Sequence, residues 1–187
     1  SGLFEIVGAE LRLRDGVSVD YEAQDAYEIA IEVEDSAGNT YVETLTINVD
    51  DINEGPSDVS LSHTTINENE AGVVVGTLSA VDPDAGDTLT YAVSDHRFEI
   101  VGNELRVRDG VSFDYEAVDS LDVTVTATDS GGLESSESFI INIADVNEGP
   151  SDVSLSNATI NENAAGVVVG TLSAVDPDAG DTLTYTV

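Results

Sequence analysis

Asp51-Ile52-Asn53-Glu54-Gly55-Pro56 and Asp145-Val146-Asn147-Glu148-Gly149-Pro150 are two copies of one acidic hinge, 94 residues apart. Each copy follows a β-type apolar run and is closed by Gly-Pro, a pair that ends regular structure. The hinge therefore reads as a boundary between tandem β-domains. Almost everything around it repeats at the same offset. Phe4-Glu5-Ile6-Val7-Gly8 recurs as Phe98-Glu99-Ile100-Val101-Gly102, and Asp20-Tyr21-Glu22 as Asp114-Tyr115-Glu116. Gly55 to Val93 recurs as Gly149 to Val187 with four changes: His63/Asn157, Thr64/Ala158, Glu70/Ala164 and Ala92/Thr186. Self-similarity at a fixed period is the mark of a repeat architecture.

The phase of the repeat sets the expected domains. Residues 55–148 make one complete repeat, 1–54 the C-terminal part of a preceding one, and 149–187 the N-terminal part of a following one. A part-sandwich left alone exposes its core face and its open edges. Residues 149–187 are therefore expected to be completed by residues 1–54 of a neighbouring copy, in a head-to-tail assembly akin to donor-strand complementation. Such a heterologous contact propagates into a filament unless its rotation closes. A continuous longer polypeptide, of which these residues are an excerpt, is the other arrangement that satisfies those faces.

Between the hinges the chain reads as short period-2 segments bounded by Gly, Asp, Asn and Ser. The expected strands are Val59–Ser62, Val73–Val81, Leu89–Val93, Phe98–Val101, Leu105–Val107, Leu121–Ala127 and Glu137–Ile143. Alternation is clearest in Val123/Val125/Ala127 and Phe139/Ile141/Ile143. No helical stripe competes with it. Seven short strands per period predict an all-β fold, a seven-stranded Greek-key β-sandwich repeated in tandem. Val101-Gly102-Asn103-Glu104-Leu105 reads as a hairpin turn, with Arg106 and Arg108 facing solvent and offsetting nearby acids.

The 187 residues carry a formal charge of −33, no Cys and no Lys, and all five basic residues are Arg. Nucleic acid is excluded as a partner, since its phosphates need a basic face. An anionic membrane surface is disfavoured for the same reason, and no stretch is long and apolar enough to insert. Without Cys there is neither a disulfide nor a thiolate metal site. That leaves room for a cation as the staple of a small domain.

Acidic groups stand at fixed places in the repeat: Asn-Glu-Asn (67–69, 161–163), Asp-Pro-Asp (82–84, 176–178), Asp-Tyr-Glu (20–22, 114–116), Asp-Ser-x-Gly (35–38, 129–132) and the hinge. All fall at strand ends or in loops, where side chains converge. Hard oxygen donors without His or Cys suit Ca²⁺, whereas Mg²⁺ demands a stricter octahedron. A solvated acidic surface accounts for part of the 38 Asp and Glu residues. It does not account for acids held in place while their surroundings diverge. Residues 27–34 and 121–128 share nothing at matched positions, yet Asp35 and Asp129 both remain.

These motifs, in this order over the whole period, resemble the cadherin repeat, particularly bacterial cadherin-like tandem arrays. Here Asp-Tyr-Glu stands for the family's Leu-Asp-Arg-Glu, and Asp-x-Asn-Glu-Gly-Pro for its linker, one residue shorter and with Glu in place of Asp. The resemblance implies an immunoglobulin-like sandwich with calcium between consecutive repeats, two to three ions per junction. At the first junction it implies Asp20, Glu22, Asn53 and Glu54 acting with Asp82, Asp84 and Asp129, with Ile52 and Gly55 as carbonyl ligands. At the second it implies Glu68, Asp114, Glu116, Asn147 and Glu148 with Asp176 and Asp178, and the matching Val146 and Gly149. Each junction then lacks one carboxylate within the chain, a Glu like Glu162 at the first and an Asp like Asp35 at the second. Those two residues are expected to meet across neighbouring copies. Asp87 and Asp181 either add a ligand or cap a turn.

An enzyme is not expected. His63 is replaced by Asn157 and His96 corresponds to Gly2, so neither belongs to the repeated pattern. Carboxylate pairs at domain junctions are poorly built for a substrate cleft. The expected function is structural: a calcium-stiffened rod or filament of adhesive repeats, extracellular, on a bacterial surface or in a secreted matrix. Its partners would be other copies of itself, with a cell-surface glycan or protein as a further class. The alternative is a carbohydrate-binding repeat module of a secreted matrix or polysaccharide-degrading protein, which the low aromatic content and absence of Trp do not favour.

Overall fold

The computed structural model describes residues 2–187. Its regular elements are all strands: β1 (Phe4–Val7), β2 (Glu10–Leu13), β3 (Ala26–Glu34), β4 (Thr40–Asn48), β5 (Ser57–Leu61), β6 (Thr65–Asn67) and β7 (Val74–Val81), then β8 (Thr90–Val93), β9 (Phe98–Val101), β10 (Glu104–Val107), β11 (Ser120–Thr128), β12 (Glu134–Ala144), β13 (Ser151–Leu155) and β14 (Leu172–Val175). The middle repeat forms two four-stranded sheets, β5-β7-β10-β9 and β6-β12-β11-β8. Every connection changes sheet except the β9–β10 and β11–β12 hairpins, the Greek-key order expected of a sandwich.

The period-2 pattern decides which side chains turn inward. Val123, Val125 and Ala127 on β11, Leu105 and Val107 on β10, and Ile141 and Ile143 on β12 are all buried. Their alternate neighbours are half-buried or exposed. Phe98 is fully buried, and its ring stacks on Phe113 with centroids 5.6 Å apart. The β9–β10 hairpin turns at residues 102–103, where Gly102 takes φ 65° but Asn103 stays out of the left-handed region. Arg106 pairs with Glu104 and Arg108 with Glu99, as the alternation of charges in β10 leads one to expect.

One strand is not legible in the sequence. The middle repeat has eight strands rather than seven, because its first strand breaks in two and changes partner. β5 lies beside β7, whereas β6 pairs in parallel with β12, Ile66 opposite Ile143. Residues 62–64 make the crossing. There the Thr77 amide donates to Ser62 Oγ at 2.9 Å, and Gly76 lies so close that a Cβ on it would be 2.9 Å from the His63 nitrogen. A three-residue strand carries too little periodicity to be read.

The chain divides into two compact units, residues 1–59, 80–90 and 127–135, and residues 60–79, 91–126 and 136–187. The division runs through the middle repeat, not between repeats, so each unit contains one hinge. In the first unit, residues 1–54 form the β1–β2 hairpin and the longer β3–β4 hairpin, in register from Ala26↔Asn48 to Glu34↔Thr40. Phe4 meets Tyr27 edge-on, and an open groove of about 490 Å³ runs past Ile6, Leu11, Ile31, Val33 and Leu45. In the second unit β13 pairs with β14, but no counterpart of β6 forms, its β12-like partner being absent from residues 149–187. Val153 is 68% exposed against 8% for the matching Val59, and Leu172 is 41% exposed against 1% for Leu78.

Candidate metal centre

In the first unit the hinge is fixed by its own polar groups. The Glu54 amide donates to Asp84 Oδ2 at 2.9 Å, and Asn53 Nδ2 donates to Asp129 Oδ2 at 2.8 Å. Asp129, 6% exposed, also accepts the Leu133 amide, which closes its loop. The Asp82-Pro83-Asp84 segment is tied by the Asp84 amide to Asp82 Oδ1. Carboxylate oxygens of Glu22, Asp51, Glu54 and Asp84 come within 4.8 Å of one another, as do those of Asp82, Asp84 and Asp87. Of these, Asp51, Asp84 and Asp87 line an open pocket of about 410 Å³ together with Asn53 and Ser130.

The second unit repeats the tie between hinge and Asp-Pro-Asp segment. The Glu148 amide donates to Asp178 Oδ2 at 2.8 Å, and the Asp178 amide to Asp176 Oδ1. Glu68, 1% exposed, accepts the Tyr115 amide on one carboxylate oxygen and the Val146 amide on the other, each at 2.8 Å. Asn69 donates to the Glu148 carboxylate. Oxygens of Glu68, Glu116 and Glu148 gather within 4.8 Å, as do those of Glu116, Asp145 and Asp178, and of Asp176, Asp178 and Asp181.

The electrostatics follow from that crowding. Burial, and then the charges of Glu22, Asp84, Asp51 and Asp20, push the Glu54 pKa above the usual glutamate value. Burial also raises Glu148, with Glu68, Asp178 and Asp114 adding to it against the Asn69 bond. Asp145 is raised by burial, then by Asp178 and Glu68. Asp35, far from such company, is held low by its bonds from Asn39 and Ala37.

Most of the expected carboxylates fall in these groups; the other expected residues do not. Glu22, Glu54, Asp82 and Asp84 converge at the first hinge, and Glu68, Glu116, Glu148, Asp176 and Asp178 at the second. Asp20 and Asp114 instead cap turns, Asp20 accepting the Ala23 amide and Asp114 the Glu116 amide. Asn147 donates within its hinge, to the Glu148 carbonyl. Ile52, Gly55, Val146 and Gly149 lie in the hinges, and for Val146 it is the amide that has a defined partner. Asp35 and Glu162 are exposed, unlike the matching Asp129 and Glu68, which are buried. The expectation that Asp35 meets Glu162 does not follow from the complete repeat: Asp129 and Glu68 belong to different units and serve different hinges.

Sequence reasoning misses Asp51 and Asp145, although each opens the quoted hinge; Asp51 joins Glu22, Glu54 and Asp84, and Asp145 joins Glu116 and Asp178. Asp87 and Asp181, left open from the sequence, join the Asp-Pro-Asp carboxylates. The donor set suits a hard divalent cation. It consists of carboxylates and amide oxygens alone, and two buried oxygens, Asp82 Oδ2 and Glu148 Oε2, have no hydrogen-bond donor among the described residues. A buried carboxylate oxygen without a partner is costly unless a cation or a donor meets it.

No model of a protein family matches the chain. By sequence it is 33% identical to human Protocadherin-16 over 150 residues, covering 73% of this chain and 4% of that protein. It is 29% identical to human Protocadherin gamma-A10 over 176 residues, covering 87% of this chain and 19% of that protein. The chain thus spans a fifth or less of these relatives. Among solved structures, the Protocadherin gammaB7 EC3-6 cis-dimer aligns over 95% of this chain and 46% of that one, with a TM-score of 0.67 and 26% identity. Human CDH23 EC21-23 aligns over 96% and 62%, with a TM-score of 0.69 and 23% identity, a likeness of fold alone.

The chain is built of cadherin-like repeats. The relatives are cadherin-repeat proteins and not enzymes, and they lend nothing to a carbohydrate-binding module. They are animal proteins, so they do not speak for the bacterial source that the resemblance brought with it.

Proposed function

We propose that this chain belongs to an extracellular adhesive array of cadherin-like repeats whose hinges are locked by calcium, two to three ions at each. One observation carries the reading: both hinges tie the backbone amide of their Glu to the second Asp of Asp-Pro-Asp while crowding that Glu among other carboxylates. The backbone is thereby set for a cation that the side chains alone do not supply. Around Ca²⁺, Glu22, Asp51, Glu54 and Asp84 would serve the first hinge, with Asp82, Asp87 and Asp129 beside them. Glu68, Glu116, Asp145, Glu148, Asp176 and Asp178 would serve the second. Calcium supplies charge neutralisation there; without it the clustered carboxylates repel and the hinge loosens.

The same reading makes the array a stiff rod at the surface of a cell or in a secreted matrix, with copies associating head-to-tail. Small-angle scattering in calcium and after chelation tests the lock. A maximum dimension that shrinks or spreads on chelation is expected; one that is unchanged sinks it. Sedimentation over a concentration series tests the association, which fails if the chain stays monomeric throughout.

A further inference from the structure

Gly131 lies in the Asp129-Ser130-Gly131-Gly132 turn, against the first hinge. A Cβ at Gly131 would stand 2.3 Å from Asn53 Oδ1, 2.6 Å from its Cγ and 2.7 Å from its Nδ2. The turn itself does not ask for glycine there. It is Gly132, not Gly131, that occupies the left-handed region, with φ 90°. The first copy of the turn, Asp35-Ser36-Ala37-Gly38, makes the same bend with alanine at the matching place. Its Ala37 amide donates to Asp35 Oδ1 at 2.8 Å, and Gly38 takes φ 83°. The need for glycine therefore comes from the neighbour: the Asn53 carboxamide lies directly on it while donating to Asp129 Oδ2.

We propose that Gly131 is a positioning residue that selects the hinge: its missing Cβ admits the Asn53 carboxamide to the Asp-Ser-x-Gly loop. A loop carrying alanine there, like that of Ala37, takes a hinge only with the asparagine turned away. At the glycine loop the Asn53 carboxamide and the loop aspartate are coupled. Asn53 lines the acidic pocket, so displacing its carboxamide also removes an oxygen that calcium would use. That last step rests on the calcium reading above; the contact itself does not.

The test compares the chain with its Gly131→Ala, Asn53→Ala and doubly substituted forms by NMR, first without metal and then during a titration with calcium chloride. Without metal, contacts between the Asn53 side-chain amide protons and residue 131 are expected in the parent and lost in Gly131→Ala. With calcium, the first hinge of Gly131→Ala should bind about tenfold more weakly, the lower end for an outer-sphere partner. The second hinge, followed at the Tyr115 amide, should not change. The double form should be no weaker than Asn53→Ala, since the two changes remove one interaction. Persistence of the amide contact in Gly131→Ala, equal affinities, or additive losses would each overturn the role of Gly131. A parent chain that binds no calcium overturns the calcium reading, while the metal-free contacts still decide whether Gly131 admits Asn53. Ala37 shows that the turn tolerates alanine, and melting of the metal-free variant checks that it folds.

Discussion

Glu68 holds Val146 from 78 positions away along the chain: its buried carboxylate receives the Val146 amide at 2.8 Å on one oxygen and the Tyr115 amide on the other. The hinge backbone is thus pinned by a side chain from the start of the same repeat. Glu68→Gln puts an amide group against two backbone donors and leaves one of them unsatisfied. Metal-free stability should fall by about 1–3 kcal/mol, read by chemical denaturation. Calcium affinity at the second hinge should fall while the first keeps its own. An equal fall at both hinges would show that Glu68 acts on the fold alone.

The core gives a matched pair of substitutions. Leu105 is fully buried, whereas Leu11, its counterpart in the first copy, is 37% exposed. Leu105→Ala should cost about 2–5 kcal/mol, and Leu11→Ala clearly less in a dilute monomeric chain. If copies complete each other, the cost of Leu11→Ala should climb towards that of Leu105→Ala as concentration rises. Thermal melts at several concentrations would reveal it, and a cost independent of concentration speaks against completion.

Gly76→Ala places a Cβ 2.9 Å from the His63 nitrogen and 3.0 Å from its oxygen. Both are backbone atoms, so the crossing between β5 and β6 must shift. A loss of about 1–3 kcal/mol is expected, with faster hydrogen exchange at the Asn142 amide, which donates to Thr64 O beside the crossing.

The pH dependence has opposite signs with and without calcium. Glu54, Glu148 and Asp145 have pKa values raised in the fold, so folding favours their protonated forms. The metal-free chain is therefore penalised above those raised values, and the penalty is relieved as pH falls through them towards the ordinary carboxylate range. Asp35 and Asp87 are held low, and their contribution is lost only as pH falls below the ordinary aspartate value. Metal-free melting temperature should rise on mild acidification from neutrality and drop at lower pH. With calcium it should fall from the outset, because protons compete for the same oxygens.

The repeat makes the fold legible. A 35-of-39 match between residues 55–93 and 149–187 needs no knowledge of tertiary structure, and the alternation at Val123, Val125 and Ala127 points straight at the core face. Hydrophobic patterning says nothing about where a strand changes partner, so β6 escapes it. At the hinges, Asp51 and Asp145 escape because the family's linker pattern draws the eye to the Asn-Glu that follows, although both aspartates lie inside the quoted motif. Asp20 and Asp114 carry a bond that the motif does not announce: each accepts a backbone amide of its own turn, as aspartates in tight turns commonly do.

The parallel pairing of β6 with β12 gives the repeat a mechanical grain. β6 follows closely on the entering hinge and β12 runs directly into the leaving one, with Asn142 donating to Thr64 O and the Glu68 amide to Ala144 O. Tension drawn through the two hinges pulls these neighbouring strands in opposite directions along their length. The bonds between them must then yield together, in shear, rather than open singly from an end. Forced unfolding is governed by the rate of crossing that barrier and not by equilibrium stability. In a tethered array the short ladder at Thr65–Asn67, the least conspicuous strand of the repeat, would take that load in shear once β5 has parted from β7.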